Sequence, residues 1–198
     1  MTWTQDDVKR LLLFKDRCDA DEVRVKEIIK KTLLEDKYIL HVLDNKELEK
    51  DVEDDGTGAD AYFGENILPF YNITPTQSAT SAFICYEVSY ERDRYAKNNA
   101  QKKLKIIFYV LVDQKLIYDN DTGIAKHDLL AALLMNKFNY TNYFGRKLHL
   151  ISNVPSVTDN QYSCRTLIFE QLTDDNLVKT FETDYGFETR FANKDTVY

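Results

Sequence analysis

The sequence predicts an α+β fold built on a mostly antiparallel sheet of four or more strands. Residues 104–113 are rich in β-branched and aromatic side chains, and both faces are apolar from Ile106, as in a central strand covered on two sides. A polar turn ending at Gly123 follows. Residues 124–138 then carry apolar side chains at spacings of three and four, which predicts one long helix packed on a face of the sheet.

The N-terminal residues are predicted to form a helical hairpin within residues 1–48. Residues 1–20 contain an apolar cluster, residues 21–35 carry a helical apolar stripe, and Asp36 suits the N-cap of a third, shorter helix. Such a hairpin also occurs in DNA-binding domains. We reject that interpretation because the acidic block that follows would repel a phosphate backbone. The block comprises Glu47, Glu49, Asp51, Glu53, Asp54 and Asp55.

Residues 49–66 are predicted to be a polar loop. They contain the residues expected at positions one, three, five and six of a calcium-binding loop, namely Asp51, Glu53, Asp55 and Gly56. Position twelve is Tyr62, where that loop requires a bidentate glutamate. We therefore favour a solvated loop without metal.

The middle of the chain is predicted to contain an extended segment, a strand and a basic link. Pro69 and Pro75 exclude a helix from residues 67–81 and suit a sheet edge or a connection. Residues 82–90 alternate in polarity, as a strand does. The link at 91–105 then closes a hairpin and is either a solvated loop or a contact with an acidic neighbour or passing DNA. Its basic residues are Arg92, Arg94, Lys97, Lys102, Lys103 and Lys105.

The long helix is expected to take its cap from Asp121 or Thr122. Its buried stripe would consist of Leu129, Leu130, Leu133, Leu134 and Phe138. Two strands follow. One is predicted at 146–153, closed by Pro155, and the other at 161–172.

Composition favours a single domain over residues 1–172, with residues 173–198 as a C-terminal arm that orders on a partner. A chain of 198 residues can bury roughly 70% of its unfolded surface, so it needs no disulfide to fold. Three cysteines without a CxxC pair indicate reduced thiols. We expect no signal peptide and no membrane span. The net charge of −7 disfavours a general nucleic-acid binder.

The histidines do not indicate a catalytic site. His41, His127 and His149 fall on three separate predicted elements. His127 and Asp128 are adjacent, so on a helix their side chains diverge by about 100° and are not expected to form a catalytic base with its orienting carboxylate. We predict no catalytic residue and no cofactor.

Three carboxylates lie near the turn between the central strand and the long helix. Asp113, Asp119 and Asp121 could hold a divalent ion there, as in a metal-dependent nuclease. Turns use aspartate for its backbone hydrogen bonds in any case. No histidine, glutamate or lysine lies nearby in the right pattern, so no metal site is predicted.

One ordered set of segments resembles the neck proteins of tailed bacteriophages. The resemblance is closest to the tail-terminator and head–tail joining proteins of phages of Gram-positive bacteria, and it spans residues 22–172. Lys126 is a departure, since an arginine is expected there. The segments are NILPFYNITPTQ (66–77), FICYEV (83–88), IIFYVLV (106–112), GIAKHDLLA (123–131), FN (138–139), FG (144–145) and DNQYSCRTLIF (159–169).

The resemblance implies a non-catalytic virion protein that assembles in the cytoplasm of the bacterial host. It implies a homo-oligomeric ring, most simply a hexamer, that caps the tail tube. The ring would join the tube protein to the head-closure or connector protein, and genomic DNA would pass through its lumen without sequence-specific binding. An acidic lumen suits this passage because phosphates find no cationic partners there.

The resemblance also leads to a prediction for the contacts between subunits. The basic link of one subunit, through Arg92, Arg94 and Lys97, would pair with the acidic loop of its neighbour. The acidic partners would be Asp51, Asp54 and Asp55. Two alternatives stay open: a head-closure protein of the same neck, in twelve copies, and a phage-encoded metal-dependent nuclease.

Overall fold

The structure is a computed structural model that describes residues 5–12, 21–46, 48, 58–71, 82–91, 101–157 and 162–174. The helices are α1 (Gln5–Leu12), α2 (Asp21–Leu34), α3 (Lys37–Leu43) and α4 (Lys126–Phe138), with 3₁₀ turns at Gly58–Tyr62 and Gln114–Leu116. The strands are β1 (Ile67–Leu68), β2 (Ala82–Glu91), β3 (Gln101–Asp113), β4 (His149–Val157) and β5 (Tyr162–Asp174).

These strands form one five-stranded sheet in the order β1-β2-β3-β5-β4. Strand β3 is central, and its Phe108 lies opposite Tyr86 on β2 and Leu167 on β5. All neighbouring strands are antiparallel except β1, which runs parallel to β2. The prediction of an α+β fold with a mostly antiparallel sheet and a long helix is therefore confirmed.

Three strands differ from the prediction. Strand β3 starts at Gln101, three residues before the predicted start, so the end of the predicted link at 91–105 is already strand. Strand β1 is a fifth, two-residue strand at the sheet edge, within a segment that was expected only to be extended. Strand β4 starts at His149, because the preceding Leu148 is held in a loop by bonds to Tyr140 and Thr141. Pro155 lies inside β4, where it was expected to end the strand. An edge strand tolerates proline because one side of its ladder has no partner strand.

The main core lies between one face of the sheet and the helices. Phe108 packs at its centre, with its ring 5.0 Å from that of Phe138 on α4 and 5.8 Å from that of Phe169 on β5. The predicted α4 stripe is confirmed. Leu130, Leu134 and Phe138 are buried, and Leu129 and Leu133 pack against them. Replacing a buried phenylalanine such as Phe108 by alanine typically costs about 3–5 kcal/mol.

The described residues cover the opposite face of the sheet in part. At one end, buried residues form a second, smaller cluster made of Leu68, Phe83, Cys85, Leu111, Tyr162 and Cys164. Further along β3, Ile107 and Tyr109 are half-buried. Burial raises the pKa of the Tyr109 hydroxyl, and the charge of Glu87 adds to that effect. Cys85 and Cys164 are buried and form no disulfide, and a buried cysteine packs as a small apolar side chain.

The cap predicted for α4 is wrong. The helix begins at Lys126, and Ala125 occupies the N-cap position without a side-chain hydrogen bond. Thr122 instead donates to the Asp119 carboxylate from its backbone N–H (2.9 Å) and its hydroxyl (2.6 Å). These two hydrogen bonds join Thr122 to Asp119 in the turn that precedes the helix.

Helix α3 packs against α4 in antiparallel fashion. Asp36 caps α3 as predicted, through bonds from the backbone N–H groups of Tyr38 and Ile39. The same carboxylate lies 3.1 Å from Lys137 near the end of α4. At the other end of α3, Asp44 lies 2.6 Å from Lys126 at the start of α4.

Candidate assembly surfaces

The residues predicted to make inter-subunit contacts lie outside the described part of the chain. They are Arg92, Arg94, Lys97, Asp51, Asp54 and Asp55. Their pairing therefore stays a prediction. The same holds for the calcium-binding-loop residues at 51–57, although Tyr62, at position twelve, is buried in the main core. The predicted C-terminal arm, 173–198, begins too early, because residues 173 and 174 pair with β3 as the end of β5; the remainder lies outside the described residues.

The described part of the basic link is neutralised within the chain. Lys103 Nζ lies 2.6 Å from Glu170 Oε2, and Lys105 Nζ lies 3.9 Å from Glu91 Oε1. Lys102 Nζ sits 4.3 Å above the ring of Tyr90. These three lysines thus brace the β2–β3 hairpin and the adjoining end of β5.

The three turn carboxylates do not converge on a metal site. Asp113 accepts a bond from the Lys115 backbone N–H (2.8 Å), and Asp121 lies 3.0 Å from His41 Nε2 on α3. The hydrogen bond from the Thr122 side chain holds the pKa of Asp119 below its usual range, with the backbone N–H of Thr122 and Lys126 adding to the effect. Within the described ranges, no group of three or more His, Cys, Asp or Glu side chains could hold a metal ion.

The histidines fall on three elements, as predicted: His41 on α3, His127 on α4 and His149 on β4. His127 Nε2 lies 3.4 Å from Asp128 Oδ1, but Asp128 Oδ1 has no hydrogen-bond partner among the described residues, so the two residues do not make the hydrogen bond that a catalytic base needs from its orienting carboxylate. Asp128 also pairs with Arg165 on β5.

This His127 environment favours the neutral imidazole. Burial lowers the pKa of His127, the charge of Arg165 lowers it further, and Asp128 opposes both. His127 Nδ1 is enclosed and has no hydrogen bond. The imidazole is therefore a packed side chain at the start of α4.

The loop between α4 and β4 is tightly hydrogen-bonded. The Tyr140 backbone N–H donates to the carbonyl of Leu148 (2.8 Å), and the Leu148 N–H donates to that of Thr141 (3.0 Å). Side chains add to this frame. The Thr141 hydroxyl donates to the Phe138 carbonyl (2.7 Å), and the Gln171 amide donates to the Phe144 carbonyl (2.8 Å).

This rigid loop exposes aromatic and basic side chains. Tyr140 has a φ of 61° and is 66% exposed, and its ring meets that of His149 edge-on with the ring centroids 5.4 Å apart. Tyr143 is 44% exposed. Lys147 is also exposed. We call residues 139–149 the Tyr140 loop.

A loop of opposite charge lies at the diagonally opposite corner of the sheet. Residues 58–66 lead into β1, which pairs with the start of β2, whereas the Tyr140 loop leads into β4 at the other edge. Asp60 and Glu65 are exposed there. With strands about 4.8 Å apart, the two sheet edges are separated by about 19 Å. We call residues 58–66 the acidic corner.

The sequence of the chain matches a protein-family model. The sequence model of the YomW family matches residues 36–171, about two thirds of the chain. The chain belongs to the YomW family. This family derives from a Bacillus phage, which is consistent with a phage protein. No curated protein matches the chain.

The YomW match includes both corners of the sheet. It runs from Asp36, the cap of α3, to Gln171 on β5, and so contains the Tyr140 loop and the acidic corner. Helices α1 and α2 precede the matched region. No described helix is long and apolar enough to cross a membrane.

Sequence reasoning missed the Tyr140 loop. The segment Asn139-Tyr140-Thr141-Asn142-Tyr143 joins the predicted helix to the predicted strand, and a run of asparagine and tyrosine before Gly145 is a loop signal with unusual aromatic content. That composition could have marked the segment as a contact surface. Its left-handed backbone at Tyr140 could not be read from the sequence.

Proposed function

We propose that this YomW-family chain is a structural protein of the phage neck, a tail-terminator ring that caps the tail tube. In this role it joins the tube protein to the head-side connector, and genomic DNA passes through the ring without sequence-specific binding. The chain catalyses no reaction, and it works in the virion after assembly in the cytoplasm of the host.

One observation carries the proposal: large apolar side chains are exposed on surface segments within the family-matched region. Some lie on the turn before α4, some on the Tyr140 loop and some on β4. They are Leu116, Tyr118, Ile124, Tyr140, Tyr143, Ile151 and Val154. Single exposed apolar side chains are ordinary, but aromatic groups concentrated on ordered loops are typical of protein–protein interfaces.

The charge of the chain supports a ring around DNA. With a net charge of −7, a lumen lined by its acidic side chains offers few cations that could bind phosphate and release counterions. Among the described lysines of the basic link, Lys103 and Lys105 are already paired with Glu170 and Glu91, and Lys102 lies over the ring of Tyr90. DNA would therefore slide through such a ring.

The derivation of the family supports the virion setting. A family that derives from a phage fits a component of a phage particle. The ordered segments that resemble neck proteins at 83–88, 106–112 and 123–131 correspond to β2, β3 and the start of α4. The proposed neck role rests on that resemblance together with the exposed apolar segments.

The experiment is negative-stain microscopy of the purified chain, with particle images averaged by rotational symmetry. Six-fold rings that bind the ends of tail tubes would support the tail terminator. Twelve-fold rings would contradict it and indicate the head-closure protein. A solitary chain that cleaves DNA with a divalent cation, and loses that activity on changing Asp113 and Asp121 to asparagine, would overturn the structural role.

A further inference from the structure

Tyr140 adopts a backbone conformation that tyrosine rarely occupies. Its φ of 61° lies in the left-handed region, where bulky side chains are outliers and glycine or asparagine is usual. The conformation costs roughly 1–2 kcal/mol for a residue with a side chain. Its neighbours Asn139 and Thr141 would suit ordinary turn chemistry, so the tyrosine is the unexpected choice.

The fold itself gains little from this ring. Tyr140 is 66% exposed, and its described ring contact is the edge-on one with His149, which is also exposed. A ring so placed removes little apolar surface from water. The backbone around it is nevertheless held by the bonds to Leu148, so the strained residue keeps one position. Backbone strain of this kind clusters at functional sites, where the strained residue contacts a ligand or a partner.

A fixed, exposed tyrosine is well suited to bind another protein. Tyrosine is enriched among the residues that dominate interface energies. Because hydrogen bonds already order the loop, binding would not have to immobilise it, which removes part of the usual cost of association. Tyr143 and Lys147 lie on the same loop and are exposed beside it.

The exposed charges of the two corners favour a second copy of this chain as the partner, although Lys30 on α2 lies over the ring of Phe63 in the acidic corner. Lys147 lies on the Tyr140 loop at one corner of the sheet, while Asp60 and Glu65 lie at the diagonally opposite corner. A surface that is complementary to a different surface of the same molecule makes a head-to-tail contact, and such contacts repeat until the ring closes.

We propose that the Tyr140 loop of one subunit docks on the acidic corner of the next. Tyr140 lies at the centre of this contact, and Lys147 faces Asp60 and Glu65 of the neighbouring copy. This inference rests on the proposed ring. It assigns the contact between subunits to residues of the described fold, in addition to the pairing predicted for the loops near Arg92 and Asp51.

The first test replaces Tyr140 with asparagine, a residue that adopts the left-handed backbone region more readily than tyrosine does. The expected result is at least a tenfold increase in the dissociation constant of the assembly, measured by sedimentation velocity, with no loss of thermal stability. Lys31→Glu, on α2 outside the family-matched region, is the control for a surface change and is expected to assemble as the wild type does.

The second test exchanges the charges. Lys147→Glu and the double change Asp60→Lys with Glu65→Lys should each weaken assembly, and the triple variant should regain most of it. Rings of wild-type strength in the Tyr140→Asn and Lys147→Glu variants would overturn this contact while leaving the proposed function in place. A wild-type chain that stays monomeric would instead overturn the proposed ring itself.

Discussion

Two residues of the described chain, other than glycines, have a positive φ, and they sit in contrasting places. Asp44, with a φ of 52°, ends α3 and holds Lys126, whose side chain is only 2% exposed, at 2.6 Å. Tyr140, with a φ of 61°, ends the turn after α4 and points its ring into solvent. The backbone strain is similar, but only Asp44 gains a strong contact from it within the chain.

At Asp44 the backbone strain is offset by a contact within the fold, whereas the exposed ring of Tyr140 offers no comparable contact among the described residues. At Asp44, the left-handed turn brings a carboxylate to a buried ammonium group that would otherwise be unpaired. Aspartate also tolerates this backbone region better than most residues. Tyr140 brings no side chain to a buried charge in the described chain, and tyrosine does not share the tolerance of aspartate for this backbone region. The comparison therefore assigns Asp44 to the stability of the fold, and it is the ground for the proposed role of Tyr140 at a contact between subunits.

The largest effect is expected from Asp44→Gly. Glycine keeps the left-handed turn, but the ammonium of Lys126 loses its partner in a buried site. The free energy of unfolding should fall by about 2–3 kcal/mol, measured by urea denaturation. The double variant with Lys126→Met should recover part of that loss, because no unpaired charge then remains. An Asp44→Gly chain as stable as the wild type would show that the Asp44 carboxylate does not stabilise the fold through Lys126.

The next effect concerns Asp36, at the other end of the α3–α4 contact. Asp36→Ala removes both the cap of α3 and the partner of Lys137 and should cost about 1–2 kcal/mol. Asp36→Asn keeps a side chain that can cap the helix, so it isolates the ion pair and should cost less than about 1 kcal/mol. Equal losses in the two variants would mean that the cap contributes nothing.

Tyr140→Gly is the matched counterpart of Asp44→Gly, with the opposite sign. It relieves the left-handed strain without breaking a buried contact, so the free energy of unfolding should rise by about 0.5–1 kcal/mol. The same urea denaturation measures it on samples diluted below the assembly concentration. A loss of more than 1 kcal/mol, by contrast, would show that Tyr140 supports the fold and not an interface.

The smallest effect is a pH dependence at His127, which directly follows Lys126. Its pKa is lowered in the folded chain from the ordinary 6.5. As pH falls below that value, the unfolded chain takes up a proton before the folded chain does, so stability declines. His127→Gln should remove this decline between pH 7.5 and 5.5, a difference of less than ~1 kcal/mol because water partly screens the group. Tyr140→Gly should retain the full decline.

The sequence predicted the elements whose side chains repeat with a regular period. The stripe from Leu130 to Phe138 reports burial directly, because the buried face of a helix recurs at spacings of three and four. Strands β2 and β3 were located by alternation and by an apolar run, respectively, but alternation did not report burial along β2, which is buried on both faces from Ala82 to Tyr86. The helix cap at Asp36 was also readable, since a capping residue acts on the next few positions.

The features that sequence reasoning missed depend on distant partners or on competition between neighbours. Strand β1 has two residues, too few for a period, and exists because Ile67 pairs with Ile84. Thr122 could have capped α4, but its hydroxyl binds Asp119 instead. The pairing of Asp44 with Lys126 joins residues 82 positions apart. No local pattern indicates such a contact, and the Tyr140 conformation is equally hidden.

The head-to-tail contact is tested most directly by cross-linking the two corners. Asn142→Cys and Ala61→Cys, two exposed positions on the Tyr140 loop and the acidic corner that leave Lys147 and Glu65 in place, are combined in one chain with Cys18 changed to serine, and the assembly is treated with a short bismaleimide. The account predicts a ladder of covalent oligomers that ends at six chains, whereas either cysteine alone gives at most a dimer. A doubly substituted chain that forms rings but yields no ladder, or that yields only monomers, would contradict it.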